Sequence, residues 1–372
     1  MLRRFISLLL LAMLALTSVS CSKVKDPSSK DISAKLDAVM VGSMSEFKAP
    51  GMMLAIYVPG KTPYVKAMGL SDIKRKKLMD VTQTFRIGSN TKTFTSTVIL
   101  QLVDEGKLKL SDKLDKYFPK VPGSEGISIE MLLNHTSGLF NYSEDSTFGE
   151  MLVNDRVRYF TPAELISFAV KHKPYFEPGR GFHYSNTNTV LLGMIVGKVT
   201  GHSLEDEIKS RLIDRLGLKN TYFPKAAETY GDIVHGYMIE DGRNDDWTKE
   251  NVSWGWAAGA MISDISDLKT FITAVTDGTL LSGDLQEDRM TTWVDMPGLK
   301  DFPSARYGYN VFTFGGYIGH NGGLPGYISF MVRNPDNGST IVMMMNVQPD
   351  DKEASLKVLK RVINVISPLT RV

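Results

Sequence analysis

The chain has 372 residues, 42% of them hydrophobic and 23% charged, an ordinary globular composition long enough to bury one large core or two moderate ones. Its 43 basic and 41 acidic residues leave a formal charge of +2, so no strong field draws it toward nucleic acid or anionic membrane, and a neutral or small substrate suits it. A single cysteine excludes an intrachain disulfide and a thiolate metal cluster.

In chain order, Met1-Leu2-Arg3-Arg4 supplies a basic n-region, residues 5–16 an apolar h-region, and Ser18 and Ser20 are small residues ahead of Cys21. The apolar run is shorter than the roughly 20 residues of a spanning helix. Residues 1–20 are therefore expected to be a signal peptide, and the chain to be exported to the periplasm or cell surface. Two fates stay open for Cys21: lipid attachment, which would anchor the chain at the membrane, or ordinary cleavage after Ser20. Residues 21–30 form a polar tether.

Beyond the tether, Ile32, Leu36, Val39, Met40 and Met44 recur at helical intervals. Residues 52–58 and 62–68 then predict two strands around Pro59-Gly60. A strongly apolar helix follows from about Ser89 to Glu105, with Gly106 as its stop. From about 110 to 255 the pattern is helical with long loops, with helices at 130–134, 162–171, 188–199 and 204–216. Helices near 264–275 and 284–293 precede short apolar runs at 307–314, 327–333 and 340–346, and a last helix spans 353–365. Strands thus sit at both ends and helices in the middle. This predicts an α+β fold: an antiparallel sheet flanked by helices, formed by residues 31–88 plus 257–372, with an all-helical domain inserted at 89–256.

Three short motifs could carry chemistry. In Ser89-Asn90-Thr91-Lys92 the serine and lysine lie one helical turn apart, on neighbouring positions of one face. A hydroxyl becomes a good nucleophile when a nearby base takes its proton, and a lysine in a dry site can have its pKa lowered enough to serve. The spacing alone is common, recurring at Ser45/Lys48 and Ser266/Lys269 among others, and Ser89 could equally be a helix cap. Tyr184-Ser185-Asn186 offers a phenol for proton transfer and an amide to hold a substrate carbonyl or a lysine, or else a plain turn. His320-Asn321-Gly322-Gly323 could let a substrate backbone approach a strand and leave an N–H to polarise a carbonyl, or be only a glycine-rich hairpin. Trp254 and Trp256 fit a cleft wall or plain core equally well.

Taken together, the motifs resemble the serine β-lactamase and penicillin-binding DD-peptidase superfamily in order and separation. The fragments around Phe85 to Thr93, Leu132 to Leu139, Ala257 to Ser263 and Gly319 to Tyr327 resemble it too, and the likeness covers about residues 32–366. The resemblance implies the β-lactamase/transpeptidase-like fold and an acyl-enzyme on Ser89. Lys92 and Tyr184 would share the proton transfers, Asn186 would orient Lys92 and the substrate amide, and His320, Asn321 and Gly322 would form the far wall. The N–H groups of Ser89 and Gly323 would make the oxyanion hole. D-alanyl peptides and β-lactams are the substrates it implies first, with esters and D-amino-acid amides as the alternative and a non-catalytic peptidoglycan-binding relative as another. The partner expected is thus a small-molecule or peptidoglycan-derived substrate, with no nucleic acid, no cofactor and no metal, and with membrane contact only through a lipid at Cys21.

The chain departs from class C β-lactamases in one respect: no Lys-Thr-Gly occurs, and His-Asn-Gly stands in its place. A neutral histidine pulls less on a substrate carboxylate than a lysine, which argues against efficient β-lactam hydrolysis. Other chemistries fit less well. Six histidines without a His-Glu-x-x-His speak against a metal hydrolase, and no Gly-x-Ser-x-Gly surrounds a serine.

Overall fold

The apolar runs at both ends of the chain meet in one sheet. The computed structural model describes residues 29–224, 232–240, 242–299 and 301–370. The expected signal peptide, Cys21 and the tether up to residue 28 lie outside them. Among the described residues the main sheet has nine strands, antiparallel throughout, in the spatial order Lys77–Leu78, Tyr64–Asp72, Gly51–Tyr57, Thr340–Met345, Tyr327–Arg333, Tyr317–Leu324, Phe312–Phe314, Arg306–Tyr307 and Val294–Asp295. The N-terminal strand pairs with the last long one, Met52 opposite Met345 and Ile56 opposite Ile341.

Central strands that bury both faces read as continuous apolar runs rather than alternations. Gly51–Tyr57 and Thr340–Met345 are such runs, and successive side chains go to opposite faces. Met52, Leu54 and Met343 pack under the helices Ser29–Phe47 and Ala354–Thr370, against Leu36, Met40, Leu359 and Val362. Met53, Ala55 and Met344 face the other way, into a core shared with the helices Thr91–Asp104, Asn186–Thr200 and Ile265–Thr276. The helix Thr91–Asp104 is therefore buried nearly all round, which is why its sequence shows no polar stripe.

Four local expectations need correction. The helix expected to open at Ser89 starts at Thr91, and Gly88–Asn90 forms a preceding 3₁₀ turn. The run at 307–314 is broken into two short strands by Asn310, whose φ is 53° and whose N–H bonds Leu133 O at 3.0 Å. A helix at Ser146–Asn154 was not anticipated; Asp145 caps it, accepting from Phe148 N at 2.8 Å. The stretch 89–256, expected to be all helical, contains the hairpin Tyr237–Glu240 with Arg243–Asp246. Arg243-Asn244-Asp245-Asp246 has no apolar alternation to announce a strand, and the hairpin forms because Val347–Gln348 pairs alongside Tyr237 and Met238.

Candidate active site

Ser89 and Lys92 lie where the 3₁₀ turn enters the helix, and neither helix start has a side-chain cap, so capping does not explain Ser89. Lys92 is completely buried. Its Nζ lies 3.1 Å from Ser89 Oγ, 2.7 Å from Asn186 Oδ1 and 2.7 Å from the Ala258 carbonyl oxygen. Burial holds its ammonium well below the usual lysine range. A neutral amine has two hydrogens and one lone pair. The two oxygens that can only accept, Asn186 Oδ1 and Ala258 O, take both hydrogens, which leaves the lone pair for the Ser89 hydroxyl proton. Asn186 is fixed in turn: its N–H bonds Asn141 Oδ1 at 3.0 Å and its Nδ2 bonds Ser143 Oγ at 3.0 Å.

Tyr184 lies with its ring centroid 4.9 Å from Lys92 Nζ. Burial pushes its phenol up, while a hydrogen bond with Ser89 pulls the other way without reversing the shift. The Tyr184 phenol therefore holds its proton more firmly than an ordinary tyrosine, and the Lys92 ammonium holds its own less firmly than an ordinary lysine.

Close backbone contact sets the opposite side. A Cβ on Gly88, whose φ is +54°, would fall 2.8 Å from Gly323 N, and one on Gly322 would fall 2.0 Å from Ile87 O. The strand carrying Gly322-Gly323 therefore lies directly against the turn carrying Ser89. Asn90 Nδ2 and Ser329 Oγ both bond Ile87 O, at 2.9 and 3.0 Å, and pin the turn to the next strand. A Cβ on Gly323 meets nothing within 4 Å, because that residue borders a cavity of about 480 Å³ that Ser89 and Tyr184 also line. The other walls are mainly apolar: Met296, Leu299, Phe312, Ile328 and Leu356, with Lys352 at the rim.

Asn321 lines this cavity, its Nδ2 bonded to Ser355 Oγ at 3.0 Å, but His320 does not. His320 is buried, with Nε2 bonded to Tyr307 Oη at 2.8 Å and Nδ1 bonded to the Asn321 carbonyl. The expectation that His320 forms part of the substrate wall is corrected: a residue at alternate positions of a strand points to the far face from its neighbour Asn321. Trp254 and Trp256 do not line the cavity either; their indoles bond Glu250 Oε1 and Glu205 Oε1. Sequence reasoning missed Asn141, Ser143, His135 and Tyr307, all within two bonds of the motif residues. Only the Leu132 to Leu139 fragment carried a signal, for His135.

The β-lactamase family model matches residues 36–363. The chain belongs to the β-lactamase family. It is a serine hydrolase of that family with the β-lactamase/transpeptidase-like fold. Penicillin-binding protein 4* of Bacillus subtilis is 27% identical over 326 residues, which cover 82% of this chain and 70% of that protein. Among solved structures, a D-stereospecific amidohydrolase from a Streptomyces species is 30% identical with a TM-score of 0.79, covering 89% of this chain and 98% of that one. The D-amino acid amidase of Ochrobactrum anthropi SV3 complexed with D-phenylalanine is 27% identical with a TM-score of 0.80, covering 91% and 99%.

Proposed function

We propose that the chain cleaves amides or esters of D-amino acids that carry no carboxylate beside the scissile bond, through an acyl-enzyme on Ser89. Lys92 Nζ takes the hydroxyl proton as Ser89 Oγ attacks the carbonyl carbon. The N–H groups of Ser89 and Gly323 receive the developing oxyanion, each such donor being worth about 3 kcal/mol in the transition state. Tyr184 passes a proton to the departing nitrogen or oxygen and regains one from Lys92. Asn186 holds Lys92 and the substrate amide, Asn321 and Gly322 shape the wall, and water then releases the acyl group. The apolar cavity takes an apolar group of the substrate.

The observation that carries the substrate class is His320. Both ring nitrogens are occupied, and burial together with the nearby Lys92 lowers its pKa to about 3, so it offers neither charge nor donor to a carboxylate. The likeness to a D-stereospecific amidohydrolase and to a D-amino acid amidase supports this reading. A D-alanyl carboxypeptidase or β-lactamase is the second reading, favoured by one feature, the Lys352 cation at the cavity rim. Action outside the cytoplasm, with a lipid on Cys21, is proposed from the N-terminal pattern; fatty-acid labelling that persists in Cys21→Ser would refute the lipid.

The deciding experiment follows turnover and intact mass of the purified chain, with Ser89→Ala as control, on D-phenylalanine amide, a D-alanyl-D-alanine peptide and a β-lactam panel. Faster turnover of the amide, lost in Ser89→Ala, is expected. Preference for the peptide, or a lasting β-lactam adduct, would favour the second reading. Parental turnover by Ser89→Ala would overturn both, and no turnover or adduct with any of them would leave a binding protein.

A further inference from the structure

Where the helical segment meets the sheet, His135, Asn188, Tyr307, Asn310 and His320 are buried together. Among the described residues no carboxylate contributes to the shifted titrations of the two histidines, so none of these supplies a countercharge to hold either ring protonated. Hydrogen bonds fix which ring nitrogen of each histidine carries the hydrogen. His135 Nδ1 receives the Ser185 backbone N–H at 3.1 Å and Asn188 Nδ2 at 2.9 Å. The Asn188 orientation follows from its Oδ1, which accepts from Ser137 Oγ at 2.6 Å. The ring hydrogen of neutral His135 is thus on Nε2, 3.3 Å from Tyr307 Oη. At the other end, a carbonyl oxygen only accepts, so the His320 hydrogen is on Nδ1, toward Asn321 O, and its Nε2 receives the Tyr307 hydroxyl proton at 2.8 Å.

We infer that Tyr307 and His135 are positioning residues, which hold the Tyr184 side of the site in register with the oxyanion strand through a one-way hydrogen-bond chain from Ser185 N–H to Asn321 C=O. Both ends of that chain are backbone groups of the motif segments, one following Tyr184 and one preceding Gly322-Gly323. The His135 ring also lies against Tyr184, with centroids 4.6 Å apart and planes 32° apart. Tyr307 is the joint, because only a hydroxyl both accepts from His135 and donates to His320. This inference rests on the proposed roles of Tyr184 and Gly323.

The chain requires both histidines neutral. A proton on His135 Nδ1 would face two donors, and one on His320 Nε2 would turn the Tyr307 hydroxyl toward Asn310 Oδ1, 3.2 Å away. The groups facing His135 are Lys92, His183, His320, Tyr184 and Tyr307, and those facing His320 are Lys92, Tyr184 and Tyr307. Burial is the largest influence on both rings, and it opposes protonation of each.

Tyr307→Phe removes the hydroxyl and keeps the ring. With a D-amino-acid ester, kcat is expected to fall by about 10- to 100-fold while KM stays within about twofold, the size expected for misplaced reacting groups. Histidine ring ¹⁵N spectra provide a second test that needs no variant: the parent should show His135 as the Nε2–H and His320 as the Nδ1–H tautomer, both still neutral at pH 5. In Tyr307→Phe the His320 ring should lose its single tautomer, and the acid limb of kcat should move to higher pH. The opposite tautomers in the parent, parental kcat in the variant, or a kcat loss matched by loss of folded protein would overturn the inference. Failure of the underlying reading is seen separately, as a parent whose Ser89 takes no acyl group from any ester.

Discussion

Gly322→Ala should disable the site while Gly323→Ala, one residue away, should not. An alanine at 322 would place Cβ 2.0 Å from Ile87 O, 2.8 Å from Ser329 Oγ and 2.9 Å from Asn90 Nδ2, and none of the three can retreat freely, since they bond one another. Ordinary contact requires the strand and the Ser89 turn to part by at least about 1 Å. Both proposed oxyanion donors sit on these two segments, and a misplacement of about 1 Å is enough for a loss near 100-fold. Complete loss of one donor corresponds to about 2.7–4 kcal/mol, or roughly 100- to 1,000-fold in kcat. At Gly323 the added methyl enters the cavity and meets nothing within 4 Å. The assay is the pre-steady-state acylation rate with a small acetyl ester, beside thermal unfolding of each variant. Parental acylation by Gly322→Ala, or equal damage from both substitutions, would refute the close-contact reasoning.

Lys92→Met should abolish acylation, and it should also flatten the pH dependence of stability. A lysine whose folded pKa is depressed binds more protons when unfolded, so stability rises with pH until both states are neutral near about 10.4, and it declines as pH falls toward the folded pKa. Thermal unfolding at pH 7 and pH 10 should therefore show a smaller difference in Lys92→Met than in the parent; an equal difference would place a charged lysine in the folded site. Ser143→Ala removes the acceptor of Asn186 Nδ2 and should lower kcat by about 5- to 10-fold, the equivalent of about 1 kcal/mol, with stability little changed. Asn346→Ala loses bonds to Gly51 N, Leu70 O and His235 O at 2.7, 2.9 and 3.0 Å. Chemical denaturation should show it about 3 kcal/mol less stable, with kcat of the folded fraction unchanged.

The pairing of Ser89 with Lys92 and the sheet's two-faced core were legible because both depend on local spacing. A turn of helix brings residues three apart together in any surroundings, and strands such as 340–345 announce burial on both faces by their unbroken apolar run. The order of the three motifs was likewise legible, since it is written along the chain. The hairpin at 237–246 was not, because its outer strand is charged and its inner strand, Tyr237–Glu240, is held from the other side by a partner about a hundred residues away, at Val347–Gln348.

What only the tertiary structure decided is the charge and direction of the site. Lys92 resembles any other lysine in the sequence until burial weakens its hold on its proton. His320 reads as a substrate contact until the strand turns its ring inward onto Tyr307, thirteen residues distant, and Tyr307 in turn reaches His135 across 172 residues. Local spacing specifies which groups can be neighbours, whereas protonation depends on everything that displaces water around them. That displacement comes from segments brought together only when the two ends of the chain close into one sheet.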